Sequence, residues 1–133
     1  LDSRLAADTE PILDLPLCSL RLMTDARWPS LILVPQVSDA PELHDLGKAD
    51  QAALWREMVM AGRALKAVTG CEKINTGALG NIVRQLHVHV VARNPGDPAW
   101  PGPVWGQGPR VPYATSDIEA LSEAIRSQIG AQR

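Results

Sequence analysis

The chain has no concentration of charge of one sign and no long apolar run, and each lack argues against a class of function. Its 13 Lys and Arg stand against 15 Asp and Glu, a formal net charge of -2, with no basic block. That argues against broad binding of nucleic acid or of an anionic membrane through a charged surface. A nucleotide needs only a few local donors and remains compatible. No apolar stretch reaches the ~20 residues that a bilayer-spanning helix requires, and Leu1-Asp2-Ser3-Arg4 lacks the apolar core of a secretory signal. Cysteine is scarce as well. Cys18 and Cys71 form no Cys-x-x-Cys pair, which points to reduced thiols rather than a disulfide framework. These absences point to a cytoplasmic protein.

What is present is an ordinary globular balance of 45% apolar and 21% charged residues over 133 positions. That is enough chain to bury one core, so residues 1–133 are expected to form a single domain. Its core is expected over about residues 10–93, a Pro/Gly/Trp loop over 94–112 and a closing helix over 115–130. Asp2 to Thr9 could form a short helix, ended by Pro11. Leu17 to Thr24 and Leu31 to Pro35 read as strands, the second apolar on both faces as a central strand would be. Residues 25–29 connect them.

Lys48 to Thr69 is the longest predicted helix. Ala52, Trp55, Val59, Gly62, Leu65 and Val68 recur every three or four residues and predict the stripe that faces the sheet, with Gly70 as C-terminal cap. A third strand is expected from near Cys71 to Thr76, followed by a turn marked by Gly77, Gly80, Asn75 and Asn81. Ten Pro and Gly residues within 94–112 forbid regular structure there. Trp100 and Trp105 nevertheless suggest a loop that lies ordered on the domain or on a partner chain. Ser116-Asp117-Ile118-Glu119 fits a capping box, and Ile118, Leu121, Ile125 and Ile129 line the last helix. The order of elements predicts an α+β domain with an antiparallel sheet.

The chemistry concentrates in Gln85-Leu86-His87-Val88-His89-Val90-Val91. Residues two apart on a strand share a face, so Gln85, His87 and His89 form a polar row and Leu86, Val88 and Val90 an apolar row behind it. Three readings follow. The histidines could be polar residues without chemistry. They could bind a metal, which requires at least a third ligand; the remaining histidine, His44, lies in a polar loop that looks remote, so no metal ligands are assigned. Or one imidazole could act as a nucleophile, its other nitrogen hydrogen-bonded to fix the tautomer. Donors for phosphoryl oxygens would come from Asn75-Thr76-Gly77-Ala78-Leu79-Gly80-Asn81, which offers amide side chains and glycines that let backbone N–H groups approach an anion.

The segment from Gln85 to Arg93 resembles the signature of the histidine triad (HIT) superfamily, His-φ-His-φ-His-φ-φ, where φ is apolar. The likeness extends over roughly residues 17–93 and takes in Leu31-Ile32-Leu33-Val34-Pro35, the long helix, Asn75-Thr76-Gly77 and Asn81-Ile82-Val83. The resemblance implies a HIT-like fold, with about five antiparallel strands, one long helix on the sheet and a C-terminal helix. It implies a nucleotide hydrolase or nucleotidyl transferase, with a dinucleoside polyphosphate or nucleoside phosphoramidate as substrate. His87 would attack the α-phosphate and form a nucleotidyl-histidine intermediate, and His89 would assist. Asn75, Gly80, Asn81, Val83 and Gln85 are the implied substrate-binding positions. No cofactor is implied, and a homodimer is.

Three departures stand out. Gln85 replaces the first histidine of the signature, Asp25 lies near but off the position of a ribose-binding acidic residue, and Pro35-Gln36-Val37-Ser38 lacks the histidine that often follows the second family strand. The first leaves a second reading open, a nucleotide-binding protein without turnover. A metal-dependent hydrolase is the third.

Overall fold

A computed structural model describes residues 1–132. A short helix α1 (Ser3–Asp8) leads into strands β1 (Thr9–Asp14), β2 (Cys18–Met23) and β3 (Ser30–Pro35). A single 3₁₀ turn (Leu43–Asp45) precedes helix α2 (Lys48–Thr69), then come β4 (Lys73–Gly77), β5 (Val88–Arg93) and helix α3 (Thr115–Gln132). The strands form one sheet of order β1-β2-β3-β5-β4, with every neighbouring pair antiparallel. The expected α+β architecture and strand count are therefore present. Among the described residues no helix is long and apolar enough to cross a membrane.

β3 and β5 are buried along their whole length, which is why their sequences are apolar on both faces. On one face Leu20, Leu22, Leu31, Leu33, Val88 and Val90 join the inner sides of α2 and α3 in the main core. Ile125 and Ile129 of α3 are fully enclosed there. On the other face lie His87, His89, Val91 and Arg93, covered partly by α1 and partly by the loop 94–112. Leu5 of α1 packs on Ile32 and Val34, while Trp28, Val91 and Val104 make a third cluster.

The long helix has the predicted bounds and ends at Gly70, whose φ of 65° is left-handed, a conformation glycine adopts without strain. Its buried face follows the predicted stripe only in part: Leu65 is buried, Val68 packs against the core and Gly62 lies against Ile74 and Val90. Leu54, Glu57, Ala61, Ala64 and Leu65 are buried, whereas Ala52 is exposed and Trp55 and Val59 are 67% and 44% exposed. Gly62, Ala61 and Ala64 let the helix backbone approach the sheet closely between Leu54 and Leu65, while Trp55 and Val59 stay outside. Buried Glu57 has its own reason for facing inward. Its carboxylate accepts the backbone N–H groups of Leu17 (3.0 Å) and Cys18 (2.8 Å), where β2 begins. Burial and this carboxylate push the Cys18 thiol well above its ordinary pKa.

Two further expectations need correction. Pro11 does not end the N-terminal helix in a loop; it lies inside β1. β1 is an edge strand, paired only with β2, and there a residue without an N–H costs no central ladder bond. The register shifts between Pro11 and Leu13. Ser116 does not cap the last helix, because α3 starts one residue earlier, at Thr115.

Replacing Glu57 with Leu strands two buried N–H groups. The Glu57→Leu protein should lose roughly 2–5 kcal/mol of unfolding free energy, read as a lower urea midpoint at unchanged slope; an unaltered midpoint would show that the carboxylate contributes nothing there.

Candidate active site

β5 places His89 opposite Ile32 of β3 on one side and opposite Gly77 of β4 on the other. His87 sits one residue before the ladder begins, so the polar row is anchored by one histidine in the strand and one at its entrance. The two rings meet edge to face with centroids 5.2 Å apart, and each residue is only 8% exposed. His87 Nδ1 lies 2.7 Å from the backbone oxygen of Gln85. A carbonyl can only accept, so Nδ1 carries a proton, and in the neutral ring the lone pair lies on Nε2. Such an imidazole is oriented for attack through Nε2.

His89 differs from its neighbour. Burial, reinforced by the nearby His87, lowers its pKa to about 4, so it is a neutral imidazole at pH 7. Beyond it stands Trp105, ring centroid 5.7 Å from that of His89 and nearly perpendicular to it. The six-membered ring of Trp105 lies over Gly77, where an added Cβ would sit 3.0 Å from a ring carbon. Gly77 therefore leaves the space that lets this tryptophan close on the histidine face. Trp105 thus packs against the domain and borders the site at once.

The loop that carries Trp105 is held by charge. Arg93, 1% exposed, donates from Nε to Asp97 (2.7 Å) and from Nη2 to the Gly102 carbonyl (2.8 Å). The Arg93 bonds, helped by the backbone N–H groups of Ala99 and Trp100, hold the Asp97 carboxyl down at about 2. Farther along, Arg27 donates to the Gln107 carbonyl (2.6 Å) and Asp25 accepts from the N–H of Val111 (3.3 Å). Asp25 is buried and ion-paired to Arg27 at 2.8 Å. It is thereby tied to Arg27 and to the loop.

The other positions singled out from the sequence fall into two groups. Gly80 and His87 line one cavity of about 180 Å³, together with residues 41–44, Ala78, Leu79 and Leu86. His44 is among those residues, which corrects the expectation that it is remote: the turn Leu43–Asp45 forms part of the wall of the cavity that His87 borders. Gly80 has φ of 70°, so a glycine is favoured at this wall. Asn75 shares the face of the histidines, opposite Val91, and its Oδ1 accepts from Arg93 Nη1 at 2.9 Å, leaving its amide N–H groups as donors. The structure does not gather the rest at that cavity. Asn81 is exposed, Val83 packs against the Leu5–Ile32–Val34 cluster, and the Gln85 side chain accepts the backbone N–H of Asp2 at 2.6 Å. The sequence reading missed Arg93 and His44. A charged residue at the end of an apolar strand was the available signal for the first, and nothing local signals the second. Among the described residues no group of three or more His, Cys, Asp or Glu side chains is arranged to hold a metal ion.

The His89 pKa sets a stability test. Its folded value of about 4 lies below the unfolded value of about 6.5, so protonation favours the unfolded chain. Its contribution is present above pH 6.5 and is lost as pH falls toward 4. An NMR titration should place the His89 midpoint near 4, and His89→Asn should flatten the fall in stability over that window; a midpoint near 6.5 would refute the neutral assignment.

Comparison with known proteins agrees with this geometry. Residues 4–96 match the family model described as HIT domain. A histidine triad protein from Sinorhizobium meliloti is 53% identical, with 96% of this chain and 95% of that one covered and a TM-score of 0.94. One from Bradyrhizobium japonicum is 46% identical over 97% and 96%, with a TM-score of 0.95. One from Marinobacter aquaeolei is 40% identical over 100% and 97%, again with a TM-score of 0.95. No curated protein matches the chain. The chain belongs to the HIT domain family.

Proposed function

We propose that this protein is a cytoplasmic hydrolase or nucleotidyl transferase that acts at the α-phosphate of a nucleotide conjugate. The conjugate would be a dinucleoside polyphosphate or a nucleoside phosphoramidate. The observation that carries the reading is the 2.7 Å contact between His87 Nδ1 and the Gln85 carbonyl, which leaves Nε2 as the nucleophile. In the first step the Nε2 lone pair attacks phosphorus. The bond to the leaving group breaks, and that group departs with its electron pair and takes up a proton. In the second step water attacks the nucleotidyl-histidine and loses a proton to solvent, which balances the one taken up by the leaving group; the P–N bond breaks, and the nucleoside monophosphate leaves with His87 restored.

Charge grows on the phosphoryl oxygens during both steps and needs donors already in place. His89, held neutral, offers one N–H. The Asn75 amide and the backbone around Gly80 and Asn81 are the further candidates, with Val83 on the nucleoside side and Gln85 toward the leaving group. The cavity at His87, about 180 Å³, is below the 300–1,000 Å³ typical of whole small-molecule sites. It suits a phosphoryl group, with the nucleoside outside it. No cofactor enters the scheme. Gln85 in the first histidine's place favours one rival, a nucleotide-binding protein without turnover. The signature position contributes its carbonyl to His87 in either case, so the exchange leaves the nucleophile's support intact.

We also propose a homodimer through the outer edge of β4. That edge ends the sheet and presents unpaired backbone groups. Exposed Trp55 and Val59 of α2 lie beside it, lining with Met58, Gly62 and Ile74 an apolar cavity of about 470 Å³.

Two measurements test these readings. His87→Ala should release nucleoside monophosphate from dinucleoside polyphosphates and adenosine phosphoramidates at least roughly 10³-fold more slowly than wild type; equal rates would end the mechanism, and no release by wild type would favour the binder. In sedimentation, Trp55→Glu should shift the chain from dimer to monomer, and an unshifted dimer would place the interface elsewhere.

A further inference from the structure

The face of the sheet that carries the histidines continues past them to a buried cation that has no ionic partner among the described residues. Across the strands His89 pairs with Ile32, Ile32 with Arg21, and Arg21 with Pro11. Directly opposed residues point to the same face, so the Arg21 side chain rises from the floor on which His89 stands. It is two strand spacings away, roughly 10 Å. Arg21 is 9% exposed. Nε donates to Thr9 Oγ1 (2.6 Å) and Nη2 reaches the Thr9 carbonyl (3.4 Å). Nη1 makes no hydrogen bond among the described residues, and no carboxylate lies within 4 Å in an ion pair with this guanidinium. A largely buried charge is ordinarily paired, and here the pairing is left open.

Arg21 lines a cavity of about 520 Å³ with Ser19, Val34, Gln36, Ser38 and Gln85 among its walls. Two hydroxyls and two primary amides thus surround one guanidinium. The one carboxylate on the wall, Asp14, is exposed and lies 3.5 Å from Gln36 Nε2. Gln85 joins the two ends of the face: its carbonyl supports His87 and its side chain borders the Arg21 cavity. The Gln85 oxygen is taken by Asp2 N–H, so its amide N–H groups are the free part.

We propose that this cavity is an anion subsite for the distal phosphates of the conjugate whose α-phosphate lies at His87. Arg21 is its charged anchor, and Gln85 is a neutral donor at its entrance. The inference rests on the proposed reaction for the identity of the ligand. It narrows the substrate class to nucleotides with a polyphosphate chain, because a phosphoramidate with an uncharged amine gives Arg21 nothing to bind. Leu5 covers Ile32 and Val34, so the chain of phosphates would pass by the Gln85 end rather than straight over β3.

Calorimetric titration of the full chain tests the subsite, with His87→Ala as background to prevent turnover. The probes are inorganic pyrophosphate, AMP and adenosine 5′-tetraphosphate. Adding Arg21→Met should weaken pyrophosphate and adenosine tetraphosphate at least tenfold and AMP less than twofold. Should Arg21→Met fail to fold, Gln36→Leu leaves the Thr9 bonds intact and should show the same selective loss. Pyrophosphate binding that is absent, or unchanged by the substitutions, overturns the subsite, as does an equal loss for AMP and the tetraphosphate. If neither nucleotide binds, the proposed reaction fails, and the pyrophosphate titration alone still decides the cavity.

Discussion

Burial of β5 on both faces is the constraint from which the remaining arrangement follows. The strand lies between β3 and β4, and Val88, Val90 and Ala92 on one side need the cover of α2 and α3. That fixes the register, because a slip of one residue would turn the histidines into the core and the valines out of it. With the register fixed, His89, Val91 and Arg93 must be covered from the opposite side. The loop 94–112 supplies this through Val104, Trp105 and the Arg93–Asp97 pair. The site is therefore assembled by the need to bury a strand, and its chemistry occupies the polar positions of that strand.

The same constraint explains the unequal histidines. His87 precedes the ladder, where the backbone is free to turn the Gln85 carbonyl toward Nδ1. His89 lies within the ladder, walled by His87 and Trp105 and by the strand neighbours Ile32 and Gly77. Its depressed pKa is a consequence of that enclosure. In the proposed reaction His87 supplies the attacking nitrogen and His89 a neutral donor. Two adjacent groups in different environments can thus take different parts in one reaction.

Where side-chain alternation decides the structure, the sequence was readable. The apolar and polar rows of residues 88–93, the double-faced apolar run of residues 31–34 and the glycine closing α2 follow from local rules, although the strand starts at Val88 and not at Gln85 as expected. The buried face of α2 was not readable in the same way. Trp55 and Val59 dominate a hydrophobic count, yet the sheet accepts Ala61 and Ala64 because the backbones come close, and it accepts Glu57 because two N–H groups of the β2 entrance need an acceptor. Those N–H groups are some 40 positions away in the chain, so no window around Glu57 reveals them. Likewise β1 was obscured by Pro11, whose tolerance depends on β1 being an edge. His44 reaches the His87 cavity only through the turn that follows β3.

Gln85 is the position where family pattern and physical argument meet. A histidine there is unnecessary for orienting His87, since the backbone does that work, and the side chain is free to serve another end. In this chain it binds Asp2 and borders the Arg21 cavity. The central claim remains nucleophilic attack by His87, and trapping tests it most directly. Wild-type protein mixed with a dinucleoside polyphosphate and quenched in alkali should carry an acid-labile mass increment of one nucleoside monophosphate on the peptide with His87, absent from His87→Ala. Turnover with no such adduct, or an adduct retained in the variant, would contradict the account.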